Sequence, residues 1–386
     1  MTDSGIAASI PVLRWAAQRE RLHDDDLTQR FPKWPLWLSG DAQPTLRQLE
    51  DFARLTHTAI GYFFLPEPPE LALPVPDFRT VRDQSLAEPS SNLLDTLYLC
   101  QQRQAWYRDY ARVQGFEPLP FIGSAQAEQP AEEVARVIGE TLAVSTAERQ
   151  RMRTWEDALR QLIRAAEDAG ILVMATSVVG SNTHRSLDVD EFRGFVLADD
   201  LAPLIFLNSA DSKSAQMFTL GHELAHLWLG ASGVSDIQAG KVPAHATERW
   251  CNRVAAELLM PMEAVRSAYQ ADTPVTDEIQ RLARVFKVST LVALRRLFDA
   301  GYIDEVTLWQ QYREEENRLR KLKERKQATG GDPYRNIPTR ASKRFSRAII
   351  SSTLEGMTSF SEANRLLGVR KAATFNQLAH ELGVTA

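Results

Sequence analysis

Two histidines stand four residues apart in the segment 218–230, which reads Phe-Thr-Leu-Gly-His-Glu-Leu-Ala-His-Leu-Trp-Leu-Gly, and a glutamate directly follows the first histidine. On a helix, this spacing places His222 and His226 on one face, within reach of a single zinc ion. Glu223 then lies beside the open coordination position. The pattern is typical of a helix that binds catalytic zinc.

The flanking residues support a buried helix. Apolar side chains surround the two histidines, Asp211 or Ser212 can cap the helix start, and Gly230 offers a left-handed stop. The alternative is a core helix that carries two histidines by chance. That alternative is unfavourable because it buries two imidazoles and a carboxylate without partners.

Catalytic zinc needs a third protein ligand. A third histidine six residues after His226, as in metzincins, is excluded because Ser232 stands there. A glutamate on a following helix is the other common solution, and Glu248 in the segment 247–261 supplies it. Asn252 lies one turn further on the same face, where it can hydrogen-bond the outer nitrogen of a ligating histidine or fix the glutamate. Pro261 ends this helix.

Other residues compete for the third ligand position. The rivals are His245, Glu257 and Asp236. Glu257 is two and a half turns from Glu248, so it points to the opposite side of the helix, as a solvated or cap-binding charge. Cys251 is interpreted as a small buried residue and not as a ligand.

The predicted chemistry follows from the ligand set. A zinc ion with three protein ligands keeps a water in the fourth position and lowers the pKa of that water to about 7. Glu223 is predicted to accept a proton from the water and to pass it to the leaving amine. A second donor to the oxyanion is expected, and the candidates are Arg193, His184 and His245. We expect one Zn²⁺ ion per chain.

Together, the zinc helix and the segment 248–261 (Glu-x-x-x-Asn-x-x-Ala-Ala-Glu-Leu-Leu-Met-Pro) resemble the ImmA/IrrE family of metallo-endopeptidases. Segments 191–200 and 203–208 resemble the strand pair that precedes the zinc helix in that family. The resemblance covers about residues 150–310. It implies a protein substrate, because known members of the family cleave transcriptional repressors.

The same two segments predict strands without the resemblance. Residues 192–197 and 204–207 are branched and aromatic and are separated by an acidic turn, which indicates a hairpin. Zinc peptidases bind an extended peptide at a sheet edge beside the metal. We expect one of these strands to provide that edge.

Composition limits the class of protein. A chain of 386 residues predicts two or three domains, and 44% hydrophobic residues are sufficient for ordinary cores. The sequence has no apolar run of membrane-spanning length and no leader pattern, so no membrane partner is expected. Cys100 and Cys251 show no paired spacing, which suits a reducing cytoplasm.

The first seventy residues predict a separate unit. Residues 12–19 form an amphipathic segment, and residues 43–55 form a second helix capped by Thr45. The unit, 1–69, resembles a Cro/repressor-type helix-turn-helix domain. Where that domain carries its recognition helix, residues 31–40 contain two prolines, two tryptophans and one lysine. Because residues 1–66 carry seven basic and eight acidic side chains, a protein-docking or vestigial role is as well supported as DNA binding.

The rest of the chain predicts three further regions. Residues 70–149 form a helical linker, residues 150–312 form the peptidase domain, and residues 313–386 form a helical C-terminal region. A helix-turn-helix-like hairpin near 278–303 lies inside the peptidase domain. It resembles the hairpin that follows the family's core, although apolar periodicity equally predicts a plain helical closure.

The C-terminal region is strongly basic. Residues 318–347 carry eleven Lys and Arg against two acidic residues, a net charge of +9 in a chain of net charge −5, so the remainder carries −14. Such segregation serves nucleic acid or an acidic partner, or else it is a solvated helix face. The candidate contact residues are Arg318, Arg320, Lys321, Lys323, Arg325 and Lys326.

The sequence therefore predicts an α+β, mostly helical protein with a zincin-like core, in which a small sheet supports the zinc helix. We expect a cytoplasmic zinc metallo-endopeptidase that cleaves a repressor or antitoxin-type protein, with DNA and a toxin encoded nearby as further partners. The alternative is a non-proteolytic transcriptional regulator or antitoxin that keeps the fold and binds DNA or a partner protein. An intact Glu223 favours the enzyme.

Overall fold

The computed structural model divides the chain into two compact units. The first unit contains Met1–Pro74 and Asp83–Leu97, and the second contains Val75–Arg82 and Tyr98–Ala386. The structure describes residues 5–20, 22–71, 73–77, 89–235, 245–325 and 333–384. The predicted four-part division of the sequence stays a prediction.

The first unit is a small helical bundle. Its helices are α1 (Ile10–Arg19), α2 (Asp24–Arg30), α3 (Trp34–Ser39), α4 (Leu46–Leu55) and a 3₁₀ helix (Ile60–Phe64). The predicted cap is confirmed: Thr45 and Gln48 form a capping box at the start of α4. The segment predicted to replace a recognition helix contains α3, whose Trp34 and Trp37 are buried. Trp34 stacks on Phe52 at a centroid distance of 5.2 Å, so these aromatic rings stabilise the core.

Several helices of the second unit precede its sheet along the chain. They are the part of α5 (Ser91–Val113) from Tyr98 onward, α6 (Ala131–Thr141), α7 (Thr146–Arg151) and α8 (Trp155–Asp168). Thr154 caps α8 by accepting a hydrogen bond from the backbone of Asp157. Helices α5 and α6 and the start of α7 lie within residues 70–149, whose assignment as a helical linker region stays a prediction.

A four-stranded mixed sheet forms the centre of this unit. The strands of the unit are β1 (Leu172–Thr176), β2 (Val178–Val179), β3 (Asn182–Ser186), β4 (Gly194–Leu197), β5 (Leu204–Asn208) and β6 (Gly233–Ser235). Their order in the main sheet is β1-β5-β4-β6, while β2 and β3 pair separately. Strand β1 is parallel to β5, and β4 is antiparallel to both β5 and β6.

This order confirms one expectation and corrects another. The predicted hairpin is β4–β5. The expectation that one of its strands is the edge beside the metal is wrong, because β1 covers β5 and β6 covers β4. At the outer side of β6, Val234 N–H donates to the Pro76 carbonyl at 3.0 Å, and Asp77 forms a parallel bridge with Val234.

Ten helices of the described chain follow β5. They are α9 (Lys213–Leu229), α10 (Ala246–Leu259), α11 (Met262–Ala268), α12 (Val275–Phe286), α13 (Thr290–Asp299), α14 (Glu305–Arg325), α15 (Pro333–Ala341), α16 (Lys343–Leu354), α17 (Phe360–Leu367) and α18 (Ala372–Glu381). The hairpin predicted near 278–303 corresponds to α12 and α13. Within the described residues, no helix has the length and apolar character needed to cross a membrane.

Buried arginines fix helix ends in this unit. Arg149 donates to the carbonyls of Phe286 and Leu259, near the ends of α12 and α10. Arg103 donates to the carbonyls of Leu366 and Arg340, in the last turns of α17 and α15. These guanidinium groups satisfy carbonyls that have no partner inside their own helices.

Candidate metal centre

Local sequence determines where α9, the helix that carries the two histidines, begins and ends. Ser212 is the N-cap of α9 and accepts a hydrogen bond from Ala215 N–H at 3.2 Å. Gly230 ends the helix in the left-handed conformation, with φ at +67°. Both ends agree with the sequence-based prediction. Between them, His222, Glu223 and His226 are fully buried.

Helix α10 packs closely against α9 at two small residues. A Cβ atom on Gly221 would lie 3.4 Å from the Cβ atom of Ala255, which is ordinary contact at its tight limit. This close approach brings the first turn of α10, which contains Glu248, to the histidine face of α9. The small residues on both helices therefore determine the distance between the Glu248 carboxylate and the two histidines.

Three donor groups converge between these helices. The Nε2 atoms of His222 and His226 lie 3.0 Å apart. The two oxygens of Glu248 lie 3.1 Å from His222 Nε2 and 2.9 Å from His226 Nε2. Tetrahedral zinc with bonds of about 2.0–2.1 Å separates its ligands by roughly 3.3 Å. The donor types and their spacing therefore fit a zinc ion held by His222, His226 and Glu248.

Asn252 contacts the first of the two histidines. Its Oδ1 atom lies 2.9 Å from His222 Nδ1, one turn after Glu248 on α10. When His222 Nδ1–H donates to this oxygen, the lone pair of Nε2 is left facing the donor cluster. The contact is the one anticipated for the outer nitrogen of a ligating histidine.

The charges of the cluster suit metal binding. Burial alone would raise the pKa of Glu248, but hydrogen bonds and charges from His222 and His226 outweigh burial and lower this pKa to about 2. Burial, with the nearby His222, lowers the pKa of His226, although Glu248 opposes that shift. An ionised carboxylate and a neutral imidazole are the forms that coordinate a cation.

The Glu223 side chain is fully buried, and its carboxylate lies close to β4. A Cβ atom at Gly194 would stand 3.1 Å from Glu223 Oε1, so glycine leaves room for the carboxylate. Burial raises the pKa of Glu223 well above its usual range, the charge of Glu248 adds to the shift, and the Ser235 hydroxyl opposes it. Neither oxygen of Glu223 has a hydrogen bond of ordinary geometry among the described residues, although Ser235 is near enough to affect it.

Cys251 offers a second possible donor set. Its sulfur and the ring nitrogens of His222 and His226 lie within 4.8 Å of one another, so a His-His-Cys group could hold a metal ion. Burial raises the pKa of Cys251 well above its usual range, and the charges of Glu248 and Glu223 raise it further. Because a protonated thiol is a poor ligand, the ionised Glu248 at 2.9 and 3.1 Å fits better.

Two of the three rival ligands, Glu257 and His245, lie within the described residues. Glu257 is buried, accepts from Met262 N–H at 3.2 Å, and pairs with Arg296, so it binds the start of α11 and is not a solvated charge. His245 is exposed at the N-cap position of α10. Asp236 lies outside the described residues.

The two remaining candidate oxyanion donors differ in their surroundings. The side chain of Arg193 forms an ion pair with Asp211, just before the cap of α9. His184 is exposed on β3, in the separate two-stranded sheet. Their predicted role, and that of His245, stays a prediction.

The basic run is only partly described. Arg318 binds Glu315, a nearly buried carboxylate, with Nε at 2.7 Å from the Glu315 oxygen, and Lys321 is exposed. Lys326 and the side chains of Arg320, Lys323 and Arg325 lie outside the described residues. Arg318 therefore has a structural partner within its own helix.

Gly194 and Ser235 are two residues near Glu223 that the sequence pattern does not predict. Both lie on short strands, and the signal that could have found Gly194 is a glycine inside a strand pattern, which indicates close approach of another group. Ser235 gave no comparable signal, because its strand has only three residues.

Two family models match parts of this chain. The model of the IrrE N-terminal-like domain, in the Peptidase M78 (ImmA/IrrE) family, matches residues 166–298. A model described as a domain of unknown function matches residues 341–381. No curated protein matches the chain. The first match includes α9 and α10, and it indicates a metallopeptidase-type domain that implies a metal ion.

Proposed function

We propose that this protein is a zinc-dependent metallo-endopeptidase in which His222, His226 and Glu248 hold the metal and Glu223 is the general base. The observation that carries the proposal is the convergence of two Nε2 atoms and one carboxylate within 2.9–3.1 Å. The match of residues 166–298 to a peptidase family supports it.

Different residues of the chain have different roles in the proposed hydrolysis. Bound zinc supplies a polarised peptide carbonyl and a water of lowered pKa. Glu223 would accept one proton from an attacking water as the water oxygen bonds to the carbonyl carbon, and would return the proton to the amide nitrogen as the C–N bond breaks, leaving a carboxylic acid and an amine. Asn252 keeps His222 in the tautomer that leaves Nε2 for the metal. The buried position of Glu223 excludes bulk water from this proton transfer.

The proposed substrate is a regulatory protein. The resemblance to repressor-cleaving peptidases supports a repressor or antitoxin that is cut at a linker. DNA and a toxin encoded nearby are further proposed partners, and the net charge of +9 on residues 318–347 supports an acidic partner or nucleic acid. The N-terminal unit is proposed to dock a protein or DNA, as its resemblance to Cro/repressor-type domains implies.

The proposal is tested with Glu223→Gln. The amide keeps the size of the side chain but cannot accept a proton, so this variant should retain zinc and fold while losing proteolysis by at least about 10²-fold. Wild type and variant are each incubated with a proteome of the source cell, and new N-termini are identified by mass spectrometry. Wild type alone should produce them.

Two results would contradict the proposal. The first is an equal set of new N-termini from both proteins. The second is full biological function of Glu223→Gln in cells, which would favour the alternative of a regulator that acts by binding. An exposed control on the same unit, Glu156→Gln, should behave as wild type because it lies outside the metal centre.

A further inference from the structure

The buried hydroxyl of Ser235 has no hydrogen bond of ordinary geometry among the described residues. The residue is fully buried on β6, and its Oγ atom has no hydrogen-bond partner of normal geometry among the described residues. A buried hydroxyl without a partner is unfavourable, so such a group is expected to face an acceptor. The acceptor must lie on the same side of the sheet as the Ser235 side chain.

The strand register shows which face of the sheet the Ser235 side chain occupies. Ser235 stands directly opposite Gly194 in the antiparallel pair of β6 and β4. Residues that stand opposite each other across two strands project their side chains on the same face. On that face, a Cβ atom at Gly194 would lie 3.1 Å from Glu223 Oε1 and 2.6 Å from the γ-methyl group of Thr219. The Ser235 side chain therefore points to the face occupied by the Glu223 carboxylate.

We propose that Ser235 is the positioning residue of Glu223: its hydroxyl donates to one carboxylate oxygen and leaves the other oxygen to accept the proton. The inference rests on the proposed function of Glu223. It explains why two buried groups that lack ordinary hydrogen bonds, the Ser235 hydroxyl and the Glu223 carboxylate, lie on one face of neighbouring elements. It also explains the glycine opposite Ser235, since any larger residue would occupy the space of the carboxylate.

A purely structural role for Ser235 makes different predictions. If Ser235 is only a small residue that fits between β4 and α9, alanine should replace it without changing the state of Glu223. If it orients the carboxylate, loss of the hydroxyl should change the carboxylate itself. The decisive measurement therefore observes the Glu223 carboxylate itself and needs no substrate.

The carboxylate stretching bands of Glu223 are assigned by the infrared difference spectrum between wild type and Glu223→Gln, using the full chain with and without zinc. Ser235→Ala should shift these bands, and Ser235→Thr, which restores a hydroxyl, should return them toward wild type. If Ser235→Ala does not fold, Ser235→Cys keeps the volume with a weak donor and should give a partial shift. Unchanged bands in a folded variant that lacks the hydroxyl would overturn the proposal.

Proteolysis gives a second readout. Ser235→Ala should lower kcat by about tenfold and leave KM within about twofold, with zinc content unchanged, because the variant misplaces the base and not the substrate. Ser232→Ala is the matched control: its hydroxyl accepts from Ala198 N–H at the other end of β6, and its loss should not move the Glu223 bands.

The two proposals fail in different ways. A band shift in Ser235→Ala, together with no proteolysis by wild type, would remove the proposed function and keep the contact between the two residues. Normal proteolysis with unchanged bands would keep the proposed function and remove the role of Ser235.

Discussion

Gly221 on α9 faces Ala255 on α10 so closely that a Cβ atom on Gly221 would stand 3.4 Å from the Ala255 Cβ atom and 3.5 Å from its Cα atom. Gly221 directly precedes His222, and Ala255 lies two turns after Glu248. The distance between the two helices at this contact therefore sets the distance between the proposed metal ligands on α9 and Glu248 on α10.

Widening this contact should weaken metal binding. In Gly221→Leu, the larger side chain must push α10 away, so we expect a loss of stability of about 1–3 kcal/mol and a loss of zinc affinity of at least about tenfold. Denaturant unfolding and competition with a chromophoric chelator measure the two effects. Gly221→Ala is the matched control and should bind zinc normally, since a single methyl group fits at 3.4 Å. Normal zinc affinity in Gly221→Leu would show that the helix spacing does not control the site.

Zinc analysis should distinguish the roles of Glu248 and Glu257, two glutamates of α10. Purified protein should contain roughly one zinc per chain. Glu248→Ala should lose the metal, as should His222→Ala and His226→Ala. Glu257→Ala should keep zinc but lose about 3–5 kcal/mol of stability, because it leaves the buried Arg296 without its carboxylate. Full zinc occupancy in Glu248→Ala would show that the assignment of the third ligand is wrong.

Cys251 provides the control for the alternative donor set. Cys251→Ser removes the thiol and keeps a small side chain, so zinc content should stay at the wild-type level if Glu248 is the third ligand. A loss of zinc in Cys251→Ser, with retention in Glu248→Ala, would support the His-His-Cys group instead.

Those elements that depend on nearby residues are predictable from the sequence. The start of α9 at Ser212 and its end at Gly230 need only a hydroxyl and a glycine at fixed offsets from an apolar helix. The cap of α4 at Thr45 depends on the same local rule. The β4–β5 hairpin also joins neighbouring segments, so its pattern was visible.

The parts that could not be predicted depend on contacts between distant segments. Strand β6 has three residues, and its pairing with β4 joins residues about forty positions apart. Hence the true neighbour of β4, and the position of Ser235, were missed. The buried Arg103 meets carbonyls more than two hundred residues away, at Arg340 and Leu366. No local pattern distinguishes it from an exposed arginine on the same helix.

The basic run should be tested without Arg318, because Arg318 binds the nearly buried Glu315. Five residues are changed to Gln: Arg320, Lys321, Lys323, Arg325 and Lys326. If they contact phosphates, affinity for a mixed-sequence DNA duplex should fall, and the slope of log affinity against log salt should decrease by about 1 for each contact removed. Zinc content should not change.

Three exposed arginines on other helices serve as the control for this charge change. Arg112→Gln, Arg136→Gln and Arg160→Gln remove positive charge from pairs on α5, α6 and α8. They should leave the salt dependence unaltered. Superimposable binding curves for the five-residue variant and wild type would show that the run is a solvated helix face.

Glu167, at the end of α8, should give the folded state a dependence on pH that is independent of the metal. Burial raises the pKa of Glu167 above its ordinary value of about 4.5, and hydrogen bonds from the Ser342 hydroxyl and Arg344 N–H only partly oppose this shift. As pH rises through the ordinary range, the unfolded chain releases this proton while the folded chain retains it. The contribution of Glu167 to stability is therefore present at low pH and is lost as pH rises through the raised pKa of the folded state.

Glu167→Gln should remove this decline, because the amide oxygen can still accept the two hydrogen bonds and has no proton to lose. The free energy of unfolding in urea is measured for wild type and variant at a series of pH values from about 4.5 upward, and the advantage of the variant should increase with pH. Asp168→Asn changes the exposed neighbouring carboxylate and should leave the pH dependence as in wild type. If the stability difference between wild type and Glu167→Gln stays constant across the series, then Glu167 is ionised at the same pH in the folded and unfolded chains, and its burial beneath Ser342 is fully compensated by its hydrogen bonds.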